Sequence, residues 1–424
     1  MRTVALLIFY TLFGSRFCTL HAQAQRDTSY ILIADRVFDG VNVHSGWEVI
    51  VKGNQIIFAG AAPFANLTPP SKSMVFKGCT LLPGLIEGHS HLFLHPYNET
   101  PWNDQVLKES RAERIARATV HAKKTLHAGF TTVRDLGTEG AGYDDVGLKT
   151  AIEKGIIEGP RMFVSTRAIV ATGSYGPKEL SYDLELPKGA AEADGKDGLI
   201  KEIRTQIGKG ADIVKLYADY GWGLNKQQAP TFTIDELKTA VEVAASSGRT
   251  VAVHASTLEG MRRAISAGVT TIEHGNDGTA DIFRLMKEHD IAYCATLSAS
   301  EAIAKYRGWE KNVQPPPAQV NAKHQSFTAA LLSGVTICMG GDVGVFPHGD
   351  NAREMELMVE YGMSPLAVLR SATSVNADVF RLNYLIGRIA PGLLADIIVV
   401  YGNPSLTIQD VRNTRLVMKD GKIY

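Results

Sequence analysis

What most restricts the fold of this 424-residue chain is an alternation through its middle, where short apolar, often β-branched runs are each followed by a helix-patterned stretch. The runs lie at 81–95, 131–133, 162–170, 213–217, 250–254, 270–272, 291–297 and 335–339. Between them stand patterns such as AERIARATVHAKKTLHAG, IDELKTAVEVAASSG, LEGMRRAISAG and AALLSG. Gly129, Gly210, Gly248, Gly268 and Gly334 fall where a helix has to stop before the next strand. Eight strand-then-helix units in about three hundred residues predict an α/β fold of the (β/α)8 TIM-barrel type rather than an open doubly wound sheet. No G-x-G-x-x-G follows a strand, so dinucleotide binding has no support.

The flanks are different in style. Residues 25–80 and 385–424 are β-rich, with turn dipeptides at Asp39-Gly40, Gly53-Asn54 and Asp420-Gly421. They are expected to fold together as a small β-sandwich module beside a barrel spanning 81–384. Residues 1–24 carry Arg2, an apolar run too short to span a bilayer, and an Ala22-Gln23-Ala24 cleavage pattern. That is the form of a signal peptide, so the protein is expected to be exported to the periplasm or the extracellular space. No other stretch is long and apolar enough to span a membrane, so no membrane association is expected after cleavage. Cys79, Cys294 and Cys338 remain in the mature chain, within or beside apolar runs, and read as buried thiols rather than a disulfide framework. Forty-four basic residues balance forty-four acidic ones, with no basic block. Nucleic-acid binding through phosphate contacts is therefore not expected, and a small-molecule substrate is. A homo-oligomer is compatible with the sequence.

In a barrel of this type the active site lies at the C-terminal ends of the strands. The first run, LLPGLIEGHSHLFLH, closes on His89 and His91, which share one face of an extended segment. The fourth holds Lys215 inside ADIVKLYADY, the fifth ends TVAVHA on His254, the sixth ends TTIEHG on His274, and the eighth ends TICMGGD on Asp342. Taken singly, each has a structural reading: a core histidine bonded to backbone, a salt-bridged lysine, a helix-capping aspartate. Six ligand-type groups at the strand ends of one barrel are instead the makings of a metal site. The two glycines before Asp342 are expected to let backbone approach a ligand closely.

In these motifs the chain resembles the amidohydrolase superfamily, and its imidazolonepropionase-like and Xaa-Pro dipeptidase-like members in particular. The resemblance runs from the β-rich start through PGLIEGHSH to the C-terminal PGLLADIIVV. It implies a metal-dependent hydrolase acting on carbon–nitrogen bonds of a small substrate such as a dipeptide or N-acyl amino acid. It further implies two divalent ions, with an N-carboxylated Lys215 bridging them. By the same resemblance His89, His91 and Asp342 hold the more buried ion, and His254 and His274 the second. The donor types suit zinc best. A buried lysine is the one most readily found as the free amine that reacts with CO2. Asp342 is the implied general base and then general acid.

Substrate contacts are expected from the strand-to-helix loops. Tyr217 points to the same side as Lys215 and is a candidate for the oxyanion or a substrate carboxylate. Tyr175 lies in the loop after the third strand, whose serine and tyrosine depart from the histidine-rich loop of the peptidase-like members. His95, together with Tyr97, Asn98 and Trp102, offers a pocket wall after the first strand. His348 and Arg353 follow the eighth strand, where Arg353 either clasps a carboxylate or pairs with acidic residues of its own helix. Two other readings compete. A mononuclear, imidazolonepropionase-like cyclic amidohydrolase has no need of a lysine on the fourth strand, and a non-catalytic barrel that only binds has no need of a complete ligand set.

Overall fold

The computed structural model describes residues 29–61, 71–178, 180–181 and 183–424; the leader read at 1–24 lies outside them. The chain enters as five strands, β1 (Ser29–Phe38), β2 (Val43–Ser45), β3 (Trp47–Lys52), β4 (Gln55–Ala61) and β5 (Ser71–Pro83). The turn dipeptides sit where expected. Asp39 accepts from the amides of Val41 and Asn42, and Gly53-Asn54 is the two-residue link that sets Lys52 opposite Gln55.

The middle strands follow: β6 (Leu85–Ser90), β7 (Phe130–Asp135), β8 (Arg161–Val164), β9 (Ile169–Val170), β10 (Ala191–Glu192), β11 (Val214–Tyr217), β12 (Asp219–Tyr220), β13 (Ala229–Pro230), β14 (Val251–Ala255), β15 (Thr271–His274), β16 (Ala292–Cys294) and β17 (Ile337–Cys338), of which β12 and β13 form an antiparallel hairpin apart from the barrel sheets. One parallel sheet runs β6-β7-β8 and a second runs β10-β9-β11-β14-β15-β16-β17. Backbone hydrogen bonds join the two at both seams. On one side the amides of Asp212 and Ile213 donate to Val164 O at 2.7 and 3.3 Å. On the other, Gly88 N donates to Met339 O at 3.1 Å and His91 N to Val343 O at 2.8 Å. The arrangement is TIM-barrel-like. The third expected run is split into β8 and β9 because Thr166 turns into the left-handed region at φ 63°. Helices fill the intervals as patterned, among them Arg111–His127, Ile234–Ala245, Leu258–Ala267 and Ala318–Ser333. Ser110 caps the first and a Thr233/Glu236 capping box opens the second.

Three C-terminal strands close the structure, β18 (Ile397–Tyr401), β19 (Thr414–Lys419) and β20 (Lys422–Ile423). β18 pairs directly with β5, so the two ends of the chain fold together, as expected, and share one hydrogen-bonded eight-stranded sheet. Period-two alternation gives that sheet two jobs. Leu81, Ile397, Val399 and Met418 pack into the module's own core, whereas Leu82, Ile398, Val400 and Val417 pack into the barrel's core.

The opening stretch is also divided differently from its reading as one barrel strand. Leu81, Leu82 and Pro83 pair with β18 in the terminal sheet, and the barrel strand begins at Leu85. Gly84 is the hinge between them. A Cβ there would lie 2.0 Å from Thr131 Oγ1, so only glycine lets the two sheets meet. Cys79, Cys294 and Cys338 are free and buried, as expected. Among the described residues no helix is long and apolar enough to cross a membrane.

Candidate active site

At the C-terminal ends of β6, β11, β14 and β15, and just after β17, the expected residues converge. His89 and His91 ring centroids lie 5.3 Å apart, His89 and His274 5.0 Å, and His254 and His274 4.5 Å. Asp342 Oδ1 stands 3.7 Å from His89 Nε2 and 3.2 Å from His91 Nε2, and its Oδ2 is 4.0 Å from His274 Nδ1. The ligand atoms of His89, His274 and Asp342 all fall within 4.8 Å of one another. Lys215 Nζ is fully buried and has no hydrogen-bond partner.

Surrounding groups set which imidazole nitrogen is free. His89 Nδ1 donates to Glu273 Oε2 at 2.8 Å and His91 Nδ1 to Gly137 O at 2.8 Å, so both rings turn Nε2 toward Asp342. Burial pulls His91 down, but the Asp342 carboxylate outweighs it and raises His91 to about 9, so its Nε2 carries a proton that a metal ion has to displace. His254 turns Nε2 toward Asp219 at 3.5 Å, and His274 Nδ1 meets Thr296 Oγ1 at 2.8 Å. Burial, reinforced by the Lys215 charge, lowers His89 to about 4 and His254 to about 3, and burial with its histidine neighbours takes His274 well below its ordinary value. These imidazoles are neutral at physiological pH, the form that binds a metal. Burial pushes Asp342 up, but His89 and His91 outweigh it and hold the carboxyl at about 2. Burial brings Lys215 down to about 8. Three neutral imidazoles (His89, His254 and His274), an ionised carboxylate and an orphaned amine fit a divalent metal centre.

Backbone strain collects here. His274, Thr296, Asp342 and Glu139 all have positive φ, at 71°, 53°, 63° and 49°, and all line the same cavity. Each such conformation costs of order 1–3 kcal/mol and is typical of a site whose surroundings over-determine it. The glycines before Asp342 serve a different purpose from that expected. A Cβ on Gly340 would lie 2.8 Å from His89 N, so the close approach is between the ends of the first and last barrel strands.

The cavity measures ≈ 240 Å³ and is lined by His89, His91, His254, His274 and Asp342, with Tyr97, Glu139, Tyr175, Tyr217 and Tyr220. Tyr217 and Tyr175 therefore reach the place expected of them. His95, His348 and Arg353 do not. His95 is buried between Glu99 and Glu109, at 3.2 and 2.7 Å. His348 stacks on His121 at 4.3 Å and donates to Leu94 O, supporting the first loop from beneath. Arg353 is held by Glu301 at 2.8 Å and Glu356 at 3.1 Å, so its guanidinium serves helix packing. Three further residues of the site went unread in the sequence. Glu273 and Arg134 form a buried pair at 2.7 Å behind His89, and Glu139 enters the cavity from the glycine-rich loop after β7. A charged residue inside an otherwise apolar run, as in TTVRD and TTIEHG, was the available signal for the pair.

A TIM-barrel-like scaffold with imidazoles and a carboxylate gathered at its strand ends offers the donor set of a metal centre where barrels of this type place their active sites. The family model described as "Amidohydrolase family" matches residues 80–424. The chain is 32% identical to the ochratoxinase of Aspergillus niger over 374 residues, covering 81% of this chain and 75% of that protein. The crystal structure of a Xaa-Pro dipeptidase with bound methionine in its active site superposes with a TM-score of 0.82 at 32% identity, over 93% of this chain and 99% of that one. A prolidase complexed with N-methylphosphonate-L-proline gives 0.80 at 28% identity, over 93% and 99%. This chain belongs to the amidohydrolase family, and it is a hydrolase acting on carbon–nitrogen bonds.

Proposed function

We propose that the protein is a binuclear metal-dependent amidohydrolase cleaving an amide or peptide bond of a small substrate such as a dipeptide or an N-acyl amino acid. The observation that carries this reading is Lys215, whose Nζ is wholly buried in β11 and has no hydrogen-bond partner among the described residues. A buried, unsatisfied amine costs roughly 1–3 kcal/mol, which selection does not retain without use. Its free amine can form an N–C bond to CO2 with loss of one proton, giving a carbamate whose two oxygens share one negative charge. His89, His91 and Asp342 would hold one ion, His254 and His274 the other, and the carbamate would bridge them. When bound, the two ions, zinc by donor type, supply Lewis acidity and lower the pKa of the attacking water. Asp342 accepts the water's proton and returns it to the leaving nitrogen. Glu273 and Gly137 O keep the two β6 imidazoles in the required tautomer.

The amide-cleaving relatives support the substrate class, and Lys215 favours this reading over a mononuclear, ring-opening one. Metal analysis is expected to find close to two divalent ions per chain, and Lys215→Ala to lose most activity with partial rescue by short carboxylic acids. Full turnover with one ion, or unchanged turnover of the variant, overturns the proposal. Export of the protein, with cleavage after Ala24, belongs to the same reading and is tested by sequencing the N-terminus of secreted material.

A further inference from the structure

Glu139 lines the cavity yet has no part in the proposed hydrolysis. It is 2% exposed and held at φ 49°, a conformation that has to be maintained by its surroundings. Arg114 does this from below, donating to the backbone oxygens of Thr138 and Glu139 at 2.9 and 2.8 Å. The carboxylate accepts from Trp102 Nε1 at 3.0 Å, Tyr175 OH at 2.5 Å and Tyr217 OH at 3.2 Å. A carboxylate has about four acceptor positions, so roughly one, on Oε1, is left over.

These contacts decide what the wall can bind. A phenol has a single proton, and Tyr175 and Tyr217 direct theirs at Glu139. While they do so neither donates to a substrate oxygen, so in this arrangement Tyr217 serves Glu139 rather than the oxyanion or carboxylate role expected of it. Among the described residues no lysine or arginine lines the cavity. The rings of Tyr175, Tyr217 and Tyr220 pack on one another, with Tyr175 4.8 Å from Tyr220 and 5.0 Å from Tyr217. Tyr217 also stacks on His254 at 4.7 Å, so the anionic, aromatic wall adjoins the metal-ligand cluster. Gly189 makes room for it, since a Cβ there would lie 2.6 Å from Trp102 and 2.9 Å from Tyr175.

We infer that this wall binds an ammonium group of the substrate, and that Glu139 is the residue that selects for it. A carboxylate backed by tyrosine rings suits a cation through charge-assisted hydrogen bonding and ring quadrupoles. It repels a substrate carboxylate. The substrate class narrows accordingly to α-amino acyl amides, such as dipeptides with a free amino end, and excludes N-acylated amino acids. This rests on the proposed hydrolysis for the position of the scissile bond.

The test compares leucine hydroxamate with 4-methylpentanoyl hydroxamate, which differ only in the amine, by calorimetric binding to the zinc-loaded protein. The amine is expected to improve binding at least roughly tenfold, and Glu139→Gln to bring the ratio to within about threefold. Equal binding by the wild-type protein overturns the inference even if the variant fails to fold, and so does an undiminished ratio in a folded variant. Leu-Pro and 4-methylpentanoyl-Pro provide the kinetic counterpart. Hydrolysis of both at equal kcat/KM overturns the inference and leaves the hydrolase standing. Hydrolysis of neither, with the hydroxamate preference intact, overturns the proposed dipeptide cleavage and supports the ammonium site.

Discussion

Removing the Glu273 carboxylate separates the structural and chemical supports of the site. It lies wholly buried and accepts from Arg134 at 2.7 Å, from His89 Nδ1 at 2.8 Å and from Thr271. Arg134 in turn donates to Gly88 O at 2.6 Å and covers the Phe380 ring at 4.1 Å. Substituting Glu273→Leu strands the Arg134 charge, and breaking a buried pair from one side costs about 3–5 kcal/mol. That is a large part of the 5–15 kcal/mol typical of a domain. It also frees His89 to rotate or change tautomer, a loss worth roughly 10- to 100-fold in metal affinity. Chemical denaturation of chelator-treated protein reads the first quantity and zinc titration the second. The Arg134→Met, Glu273→Leu double variant is expected to recover much of the stability, since no buried charge is left, but not the metal affinity. Wild-type zinc affinity in folded Glu273→Leu refutes the assignment of Glu273 as the group that orients His89. A double variant no more stable than the singles refutes the account of the pair.

Other outcomes follow from the same structure. Asp342→Asn is expected to fold and to lose about 10²–10⁴-fold in kcat; near wild-type turnover puts the proton carrier elsewhere. Arg353→Met is expected to lower stability while leaving KM unchanged for substrates with and without a carboxylate, because its partners are Glu301 and Glu356. Burial raises the Glu301 carboxyl, but Lys305, Lys311 and Arg353 together bring it down to about 2, from an ordinary 4.5. Its contribution is therefore full above about pH 5 and is lost as pH falls toward 2, of order 1–2 kcal/mol after solvent screening. Acid titration of stability in Glu301→Gln should lack that slope; an unchanged slope assigns it to other carboxylates. Gly84→Ala is expected to cost about 3 kcal/mol by overpacking against Thr131, and a neutral result in thermal unfolding would mean the hinge can yield.

The barrel strands were legible because they are buried apolar runs, five of them entered from a helix-stopping glycine, and the position of His89, His91, Lys215, His254, His274 and Asp342 at or near their ends followed directly. The layout of the terminal sheet was not, because local pattern says nothing about pairing between β5 and β18. Glu139 escaped because LGTEGAGYDD has no period to place it. A glutamate set among glycines with φ of 147°, 99° and 64° was nonetheless a sign of a loop built to aim a side chain. Arg353 was ambiguous for a plain reason: its partner Glu301 is remote in sequence, and only packing reveals that its charge is already engaged.

The Gly84 hinge also has a consequence for the order in which the molecule can form. The strand bearing His89 and His91 is continuous with β5, and β5 is completed by β18, with Ile397 opposite Pro83. A ribosome-bound chain can assemble the intervening strands and helices, yet that pairing waits until the last tenth of the protein has emerged. Contacts of such sequence separation are slow to form, and until they do the β5 edge from Cys79 to Pro83 remains unpaired, an opportunity for aggregation. The imidazole cluster on β6 is thus expected to be anchored to a late-forming pairing. Removing residues beyond 396 should impair activity by leaving its first strand untethered, although none of the removed residues touches the cavity.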